Sequence, residues 1–586
     1  MIDPARPRAF TGKAYVGGAA AGKLMASDTP LSFWGGVNSS TGEVIDRHHP
    51  LSGRRLADHI LAIPAGRGSC SGSGVMLELL LNGKGPRALI FERDESILTL
   101  GVILADEIFG KSIPIIKLSH SDFRAILAAS HVRIDGDRAI AADVDSSASV
   151  SSLDSSAMVG LADGLALSGE DEACLAGDFG TAAQLAMRVV VRMAALQGVE
   201  RLIDIKQVHI DGCIYMGPAT LAFVEKLQGL GAKVKVPTTL NAISVDRRHW
   251  RAQGIDPELG VPAGKLADAY VAMGAQPNFT CAPYLLEVAP KPGEQIAWAE
   301  SNAVVFANSV MGARTAKYPD FLDLCIAITG RAPLAGAHLD EHRKARLHIR
   351  VTPPKQIDDA FYPLLGYCVG GLAGDRIPVL TGLEAAIPTK DDLKGFGAAF
   401  ATVSSAPMFH IAGVTPEART LSSVLSDECD NRIVEVEAQQ LQACWEQLNS
   451  AASGDVDLVS LGNPHFSFDE LARLSALCQR RAKHPEVSII VTCGRAVHER
   501  ARASGLTARL EQFGVRFVTD TCWCVITEPL IPRSARTIMT NSAKYAHYGP
   551  GITGRKFHFG SLAACVDAAC RGSHPRAQPA WMSSWN

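Results

Sequence analysis

The sequence predicts an α/β protein that is built from more than one domain. A chain of 586 residues is longer than one hydrophobic core usually accommodates, so two to four domains are expected. Short apolar segments typical of strands alternate with segments of helical periodicity, which is the pattern of parallel sheets. A Ser/Asp-rich stretch at residues 143–157 has few large apolar side chains, which predicts a linker between a small domain (1–142) and a large one (158–586).

Composition narrows the class of protein and of partner. Apolar residues make up 47% of the chain, and the formal net charge of −3 is spread without a long basic run, which disfavours nucleic acid or an anionic membrane as partner. The sequence has no run of about 18 uncharged apolar residues, so a membrane span is not expected. Residues 1–7 lack the apolar core of a signal peptide, so we expect a cytoplasmic protein.

The small domain begins the series of strands and helices. A Gly/Ser loop at residues 66–73 precedes an apolar segment, 75–81, that predicts a helix. Strands are predicted at 88–91 and 113–116. We expect a compact α/β or β-rich domain here.

The large domain begins with a further α/β unit. Residues 170–196 have helical periodicity, and a strand at 201–210, a helix at 218–227 and a strand at 233–236 form a βαβ pattern. Mixed loops fill much of the stretch from about residue 240 to 435.

The final third has the clearest α/β pattern. Strands are predicted at residues 457–461, 487–491, 515–518 and 537–540. The helix after the first of them begins near Ser467, with Glu470 completing a capping box, and a second helix follows at about 496–513. This alternation predicts a parallel sheet.

Polar clusters come directly after these four strands. They are Asn463-Pro464-His465, Cys493-Gly494-Arg495, Asp520-Thr521-Cys522 and Asn541-Ser542-Ala543-Lys544. Because ligands of open α/β sheets bind at the carboxyl ends of strands, these clusters predict one wall of a pocket. The Gly/Ser loop of the small domain would close that pocket from the other side, and thiols in the wall suit a soft metal such as iron.

Fourteen cysteines without a CxxC pair disfavour zinc ribbons and thioredoxin-type chemistry. In a reducing compartment most of them are expected to be small buried side chains. Three lie in loop-like contexts: Cys281 precedes an Ala-Pro, Cys368 is flanked by glycines, and Cys522 follows a strand with Cys524 two residues on. Each of these, taken alone, is more often structural than a ligand. Helical apolar patterns place the following in the core: Cys174, Cys325, Cys444, Cys478, Cys565 and Cys570.

For several other polar residues, the sequence allows both a functional and a structural interpretation. The Gly/Ser loop is either an anion-binding helix N-terminus or a tight turn, and a serine in it could act as a base if a cation or the helix end lowers its pKa. Lys544 is either a point charge for a carboxylate or a solvated surface lysine. The segment around Glu300 and Asn302 carries groups that are costly to bury unless they are paired or used, whereas His410 is most simply a structural histidine.

An ordered series of motifs along nearly the whole chain resembles the aconitase X family. The motifs are Gly-Arg-Gly-Ser at 66–69, His-Ile-Asp-Gly at 209–212, Thr-Leu-Asn-Ala at 239–242, Cys-Ala-Pro-Tyr at 281–284, Ala-Trp-Ala-Glu-Ser-Asn-Ala-Val at 297–304, Ala-Asn-Ser-Val-Met-Gly-Ala-Arg-Thr at 307–315, Leu-Leu-Gly-Tyr at 364–367, Asp-Thr-Cys at 520–522 and Thr-Asn-Ser-Ala-Lys at 540–544. The resemblance implies a multi-lobed, aconitase-like catalytic domain with parallel sheets and a small N-terminal swivelling domain, with the Ser-rich stretch as the joint.

The resemblance also implies an activity. Single-chain bacterial members resemble cis-3-hydroxy-L-proline dehydratases, hydro-lyases that form Δ1-pyrroline-2-carboxylate, whereas two-subunit archaeal members resemble mevalonate-5-phosphate dehydratases. Asn463 stands where the archaeal pattern has a cysteine. The alternatives are a dehydratase of another hydroxy acid, for which Arg495 and Arg314 are the candidate phosphate contacts, and a non-catalytic iron or thiol sensor.

The resemblance assigns roles to particular side chains. An iron–sulfur cluster, [2Fe–2S] by preference, or a mononuclear iron would polarise the leaving hydroxyl. The substrate is a small hydroxy amino acid, and no redox cofactor is needed because the enamine product tautomerises to the cyclic imine. The implied iron ligands are Cys281, Cys368 and Cys522, with Cys493 in reserve; the implied base is Ser69, with Ser71 as its competitor; the implied carboxylate site is Lys544 with Asn541 and Ser542; and further substrate contacts are Arg495, Glu300, Asn302 and His209.

Overall fold

The computed structural model describes residues 8–46, 49–142, 164–429 and 432–585. The predicted linker at 143–157 lies outside the described residues, so the domain boundaries remain predictions. The chain forms a mixed-sheet lobe followed by three further lobes, each containing parallel strands.

The N-terminal lobe, residues 8–142, is built on an eight-stranded mixed sheet with the order β1-β10-β9-β3-β5-β7-β8-β2. Its strands, together with the separate parallel pair β4-β6, are β1 Arg8–Thr11, β2 Lys13–Val16, β3 Ala19–Ala26, β4 Leu31–Ser32, β5 His59–Ala62, β6 Gly66–Arg67, β7 Ala88–Phe91, β8 Ile115–Lys117, β9 His131–Asp135 and β10 Arg138–Ala142. The helices are α1 Gly72–Leu81, α2 Ile97–Phe109 and α3 His120–Ile126. The predicted strand at 113–116 begins two residues later than expected, since Pro114 has no N–H to donate to a ladder.

The predicted Gly/Ser loop runs from β6 into α1. β6 pairs with β4 in parallel, so the start of the loop is fixed before the chain turns into the helix. Helices α1 and α2 share one continuous hydrophobic core with the next lobe. The small lobe is therefore seated on its neighbour through an extensive apolar interface.

The second lobe, residues 164–341, contains a three-stranded parallel sheet with the order β13-β12-β14 and an antiparallel pair, β11-β15. Its strands are β11 Leu202–Asp204, β12 Val208–Ile210, β13 Thr238–Leu240, β14 Ala297–Trp298 and β15 Arg331–Pro333. Its helices are α4 Gly169–Ala176, α5 Thr181–Gln197, α6 Pro218–Gly229, α7 Pro257–Ala272, α8 Ser301–Phe306 and α9 Leu322–Thr329.

Three predictions for this lobe need correction. The helical stretch at 170–196 is two helices, since Gly177 and Gly180 adopt positive φ between them. The strand at 201–210 is two short strands in different sheets. No strand forms at 233–236, because the backbone N–H groups of Val234 and Lys235 donate to Met273 and Ala327 instead of to a ladder. The strand lies at β13.

The third lobe, residues 345–448, was expected to be mixed loops and instead contains a parallel sheet with the order β18-β17-β16-β19. Its elements are β16 Leu347–Arg350, β17 Pro378–Thr381, β18 His410–Ile411, β19 Val434–Glu435, α10 Phe361–Ala373, α11 Lys390–Val403 and α12 Ala438–Leu448. Because the strands are short and separated by long connections, the hydrophobic periodicity was too brief to identify them.

The fourth lobe confirms the predicted parallel sheet, with the order β22-β21-β20-β23-β24. Its strands are β20 Leu458–Leu461, β21 Ser488–Thr492, β22 Val515–Val518, β23 Thr537–Thr540 and β24 Lys556–Phe559. Its helices are α13 Phe468–Cys478, α14 Arg495–Ala503, α15 Leu506–Phe513, α16 Ala543–Thr553 and α17 Leu562–Arg571. The Ser467–Glu470 capping box is present, and the helix predicted at 496–513 divides at Gly505.

None of the helices among the described residues combines the length and the apolar character needed to cross a membrane. The cytoplasmic location remains a prediction.

Candidate functional site

The site lies where the carboxyl ends of two parallel sheets meet. Asp211 and Asn241 follow β12 and β13 of the second lobe, and Asp520 follows β22 of the fourth. The two sheets are joined by backbone and side-chain contacts, among them the Ile243 N–H donating to the Asp520 carbonyl at 2.7 Å. Strand direction therefore gathers polar side chains from distant parts of the chain at one place.

Three thiols converge in this junction. Cys281 and Cys522 form a small buried cluster with Ala242, and Cys524 packs against it. The contact of Cys522 with Cys281, and then its burial, raise the pKa of its thiol, whereas the contact with Cys524 lowers it. Cys281 comes from the second lobe and the other two come from the fourth, so the cluster joins the lobes.

The cluster has N–H donors aimed at two of its sulfur atoms. The backbone N–H of His465 donates to Cys281 Sγ at 3.3 Å, and the amide of Asn463 donates to Cys524 Sγ at 3.6 Å. Such donors stabilise negative charge on sulfur, and thiolates are ligands for soft metals. In the described ranges no three His, Cys, Asp or Glu side chains already stand in the arrangement of a metal site. The residues fit a metal through their chemistry, namely clustered thiols with donors to sulfur.

Two of the cysteines considered from sequence lie elsewhere. Cys368, on α10, contacts the Cys444 thiol of α12 within the hydrophobic core of the third lobe. Cys493 is fully buried in the core of the fourth lobe. The structure therefore brings Cys524, and not Cys368, to the predicted pair Cys281 and Cys522. The thiols of Cys281 and Cys522, and those of Cys368 and Cys444, are free.

Lys544 and Glu300 form a buried ion pair beside the thiols. Lys544 Nζ donates to Glu300 Oε1 at 2.7 Å, across 244 residues of sequence. The ammonium lowers the pKa of Glu300 against the opposing effect of burial. Burial would lower the pKa of Lys544, yet the charge of Glu300 and the nearby Cys524 and Cys281 thiols raise it. Both groups are therefore charged.

The predicted substrate contacts around this pair also have structural partners. Glu300 caps α8 by accepting the Asn302 and Ala303 N–H groups. The Asn302 amide donates to the carbonyl of Cys281 at 3.1 Å. Ser542 caps α16 by accepting the Tyr545 N–H at 3.1 Å, whereas Asn541 lines an adjoining cleft.

His209 is completely buried in the middle of β12. Its Nδ1 lies 2.8 Å from Thr239 Oγ1, and its Nε2 has no geometrically well-formed hydrogen bond to another described residue. Burial lowers its pKa to about 3. His209 is therefore neutral, beside Trp298 at a ring-centroid distance of 5.9 Å.

The two arginines considered for phosphate are held by carboxylates. Arg495 makes a bidentate pair with Asp520, and its guanidinium lies over the Phe279 ring, 5.1 Å from the centroid. Arg314 pairs with Asp340 and donates to the carbonyl of His338. His410 is structural, as expected, with Nε2 2.7 Å from the carbonyl of Arg343.

The Gly/Ser loop is clamped onto residues 317–320 of the second lobe. Lys317 Nζ donates to the carbonyl of Gly68 at 3.2 Å, and the Asp320 N–H donates to the carbonyl of Cys70 at 3.3 Å. Ser73 Oγ donates to the carbonyl of Asp320 at 3.0 Å. Among the loop serines, Ser69 is partly exposed whereas Ser71 is buried.

Sequence reasoning missed three buried carboxyl groups behind this loop, those of Asp211, Asp320 and Asp323. Burial, and then the charges of Asp211 and Asp323, raise the pKa of Asp320. Burial, and then the charges of Glu300 and Asp323, raise that of Asp211 to about 7. The His-Ile-Asp-Gly motif contained one of them, but nothing in the local sequence distinguished Asp320 or Asp323 from surface aspartates.

A cleft of about 390 Å³ lies between the third and fourth lobes. Its far wall includes Lys394, which donates to Glu470 and to the carbonyl of His465. Asn463, Asn541 and Lys544 also line it. The cleft therefore reaches Lys544 of the site from between the third and fourth lobes.

Family models match four successive parts of the chain. They are described as the aconitase X swivel domain at residues 9–142, first domain at 164–341, second domain at 345–446 and third domain at 456–571.

The relatives include full-length proteins. The chain is 57% identical over 582 residues to a cis-3-hydroxy-L-proline dehydratase of Hypocrea jecorina, covering 98% of this chain and 97% of the relative. It is 54% identical over 572 residues to the protein of that name from Pseudomonas aeruginosa, covering 97% and 98%. The crystal structure of a Thermococcus kodakaraensis aconitase X in its holo-form matches with a TM-score of 0.63 at 33% identity, covering 69% of this chain and 100% of that one.

Proposed function

Because the chain belongs to the aconitase X family and is a hydro-lyase, we propose that it dehydrates cis-3-hydroxy-L-proline to Δ1-pyrroline-2-carboxylate. The observation that carries this proposal is the identity of more than half of the residues, over nearly the full length, to two relatives with that named activity. The swivel-domain match at the N-terminus adds support, since the same chain supplies both sides of the site.

Dehydration needs help with a poor leaving group. We propose that Cys281, Cys522 and Cys524 hold iron, as an iron–sulfur cluster or a single ion, in place of the set with Cys368. Iron with an open position would supply Lewis acidity to the leaving hydroxyl. The support from the chain is the buried cluster of thiols with N–H donors from His465 and Asn463.

The substrate carboxylate would bind at Lys544. An ammonium has three N–H donors, and the described residues use one of those of Lys544, for Glu300. The remaining donors, with the Asn541 amide that lines the same cleft, suit a carboxylate. Glu300 would then hold the ammonium in place, and Asn302 would position the Cys281 backbone.

The Cα proton would be taken by Ser69. Of the two loop serines considered, Ser69 is the partly exposed one, and the buried Ser71 lies behind it with its Oγ 3.3 Å away. Removal of the Cα proton and departure of the C3 hydroxyl leave an enamine that tautomerises to the imine. The reaction needs no redox cofactor.

A phosphorylated substrate is the competing proposal, and the arginines argue against it. Arg495 is paired with Asp520, and Arg314 is paired with Asp340. A phosphate would need at least one such cation to be free, since charge-assisted pairs dominate phosphate recognition.

The test is turnover of cis-3-hydroxy-L-proline by anaerobically purified protein, followed as Δ1-pyrroline-2-carboxylate, with mevalonate-5-phosphate as the competing substrate. We expect turnover of the first only. Cys522→Ala should lose both the visible chromophore and the activity, whereas Ser69→Ala should keep the chromophore and lose activity. Iron-loaded wild type that leaves hydroxyproline unchanged would overturn the substrate assignment.

A further inference from the structure

We infer that Asp320 and Asp211 form a proton relay behind the N-terminal lobe's serines, so that Ser69 passes its own hydroxyl proton through Ser71 to Asp320 as it takes the substrate's Cα proton. The inference rests on the proposed function in one respect, the role of Ser69 as base. It assigns a task to two carboxyl groups that the mechanism above leaves unused.

The groups of the relay lie in sequence from the surface of the site into the protein. Ser69 Oγ donates to Ser71 Oγ at 3.3 Å. The Ser71 hydroxyl interacts with the carboxyl of Asp320, which in turn interacts with the carboxyl of Asp211. The series of hydrogen-bonding groups ends at Asn241, whose amide donates to Asp211. A serine that is a weak base alone thus has a path to a carboxylate.

Asp320 differs from an ordinary buried aspartate. It is fully buried, and neither carboxylate oxygen receives a well-formed hydrogen bond from the described residues. Burying such a group without donors is costly unless it is protonated or used. Asp323 provides the contrast, since it accepts the backbone N–H groups of Asp211, Phe321 and Leu324 and is satisfied structurally.

The clamp fixes the geometry of the relay. Backbone contacts on both sides of Asp320 hold the loop, through the Asp320 N–H to Cys70 and the Ser73 hydroxyl to the Asp320 carbonyl. Ser71 therefore meets Asp320 only when the N-terminal lobe is seated on the second lobe. The relay is complete in the seated arrangement alone.

The charged and titratable groups around the pair favour one shared proton. The charges of Glu300 and Asp323 disfavour a negative charge on Asp211. The Lys317 ammonium lies close to Cys70, within the loop, where it favours the thiolate. The groups that face the pair are Cys70, Cys213, Tyr270, Glu300, Lys317 and Asp323. Like charges this close keep one carboxyl protonated and the other ionised near neutral pH.

The proton transfer balances without another reactant. The Cα–H bond breaks, its electron pair becomes the C=C bond, and the C3–O bond breaks with its electrons on the departing hydroxide. The Cα proton joins Ser69 Oγ, the Ser69 proton joins Ser71 Oγ, the Ser71 proton joins Asp320, and the proton that Asp320 held passes to the ionised Asp211. The proton returned from the pair and the hydroxide together make the eliminated water.

A direct test observes the carboxyl pair without substrate. Infrared difference spectra of protein carrying ¹³C-labelled aspartate should show a protonated carboxyl that loses its proton between about pH 6 and 8. Asp320→Asn should shift that titration, because Asp211 then loses the carboxyl with which it interacts. Asp340→Asn, the same substitution at an exposed aspartate that pairs with Arg314, should keep it. The absence of a carboxyl whose titration depends on Asp320 would overturn the relay even if turnover were absent.

A kinetic test follows the same variants with substrate. Wild-type kcat should fall as the pH drops below about 7, because the carboxylate that accepts the proton is then already protonated. In Asp320→Asn, kcat should be lower by about 10²–10⁴-fold and should no longer decline at acid pH. Asp340→Asn should keep the wild-type decline of kcat at acid pH. Turnover of hydroxyproline by Asp320→Asn at the wild-type rate and pH profile would refute the relay while leaving the proposed function intact. Wild type without turnover would refute the function and leave the infrared result to decide the relay.

Discussion

Lys544 and Glu300 are joined by a hydrogen bond of 2.7 Å, and each side chain is less than 10% exposed. One residue follows β23 of the fourth lobe and the other follows β14 of the second. The pair therefore links the two sheets whose edges form the site. Because both charges are buried, removing either partner leaves the other uncompensated in a medium of low dielectric constant.

Lys544→Met and Glu300→Gln should each lower stability by about 3–5 kcal/mol, and the double variant should lose less than the sum. Urea unfolding at pH 7 measures this as a double-mutant cycle. Since Lys544 lowers the pKa of Glu300, the stabilisation should be present above the ordinary carboxyl value of 4.5 and decline as the pH falls below it. Additive losses in the cycle would mean that the two charges do not interact.

Iron content should separate the two groups of cysteines. Cys524→Ala should lose bound iron together with activity, because its thiol contacts Cys522 in the buried cluster. Cys368→Ala should keep iron and stay within about threefold of wild-type kcat, with only the modest loss of stability expected for a truncated core side chain. Metal analysis and visible spectra of anaerobic protein provide the measurement.

Cys444→Ala is the matched control for Cys368, since it removes the other thiol of that contact. It should behave like Cys368→Ala. Loss of iron from Cys368→Ala alone would restore the ligand set that the sequence suggested.

Buried neutral histidines should make the protein sensitive to acid, and His338 is the clearest case. Its Nδ1 lies 2.6 Å from Gln295 Oε1, so it donates there, while Nε2 accepts from the Ala316 N–H and the Tyr318 hydroxyl. Burial, and then the charges of Arg343 and Arg314, lower its pKa to about 3 from 6.5. The folded state therefore resists protonation that the unfolded chain accepts.

The stability that His338 contributes should be present above pH 6.5 and lost progressively as the pH falls toward 3. The slope should reach about 1.4 kcal/mol per pH unit for this one proton. His338→Gln should make the dependence of unfolding free energy on pH shallower by that amount between pH 6 and 5, measured by urea unfolding. An unchanged slope would contradict the neutral tautomer.

The parallel sheet of the fourth lobe could be predicted because its strands are apolar and its helices carry recognisable caps, such as Ser467 with Glu470. The polar clusters after those strands followed from strand direction alone. The sheet of the third lobe could not be predicted, since strands as short as His410–Ile411 leave no periodic signal.

The sequence predicted where the site lies but not which of its residues contact one another. Sequence placed Cys281 and Cys522 in loops, and folding then decided that Cys524 joins them while Cys368 meets Cys444. Spacing along the chain carries no information on such contacts between distant loops. The same holds for Asp320, whose burial and missing donors arise only when the N-terminal lobe packs on the second.

Arg495 should behave as a support for the thiol loop rather than as a substrate contact. Its bidentate pair with the buried Asp520 fixes a residue that has positive φ two positions before Cys522. Lysine cannot reproduce a bidentate, stacked guanidinium. Arg495→Lys should therefore cost about 1–3 kcal/mol of stability and reduce iron retention, with KM little changed among the molecules that keep iron.

The matched control is Arg314→Lys, whose partner Asp340 is 80% exposed, so stability and iron content should stay near wild type. Steady-state kinetics normalised to iron separate the two roles of Arg495. A rise in KM of tenfold or more, with stability and iron unaltered, would mean that Arg495 binds substrate, as the sequence first suggested.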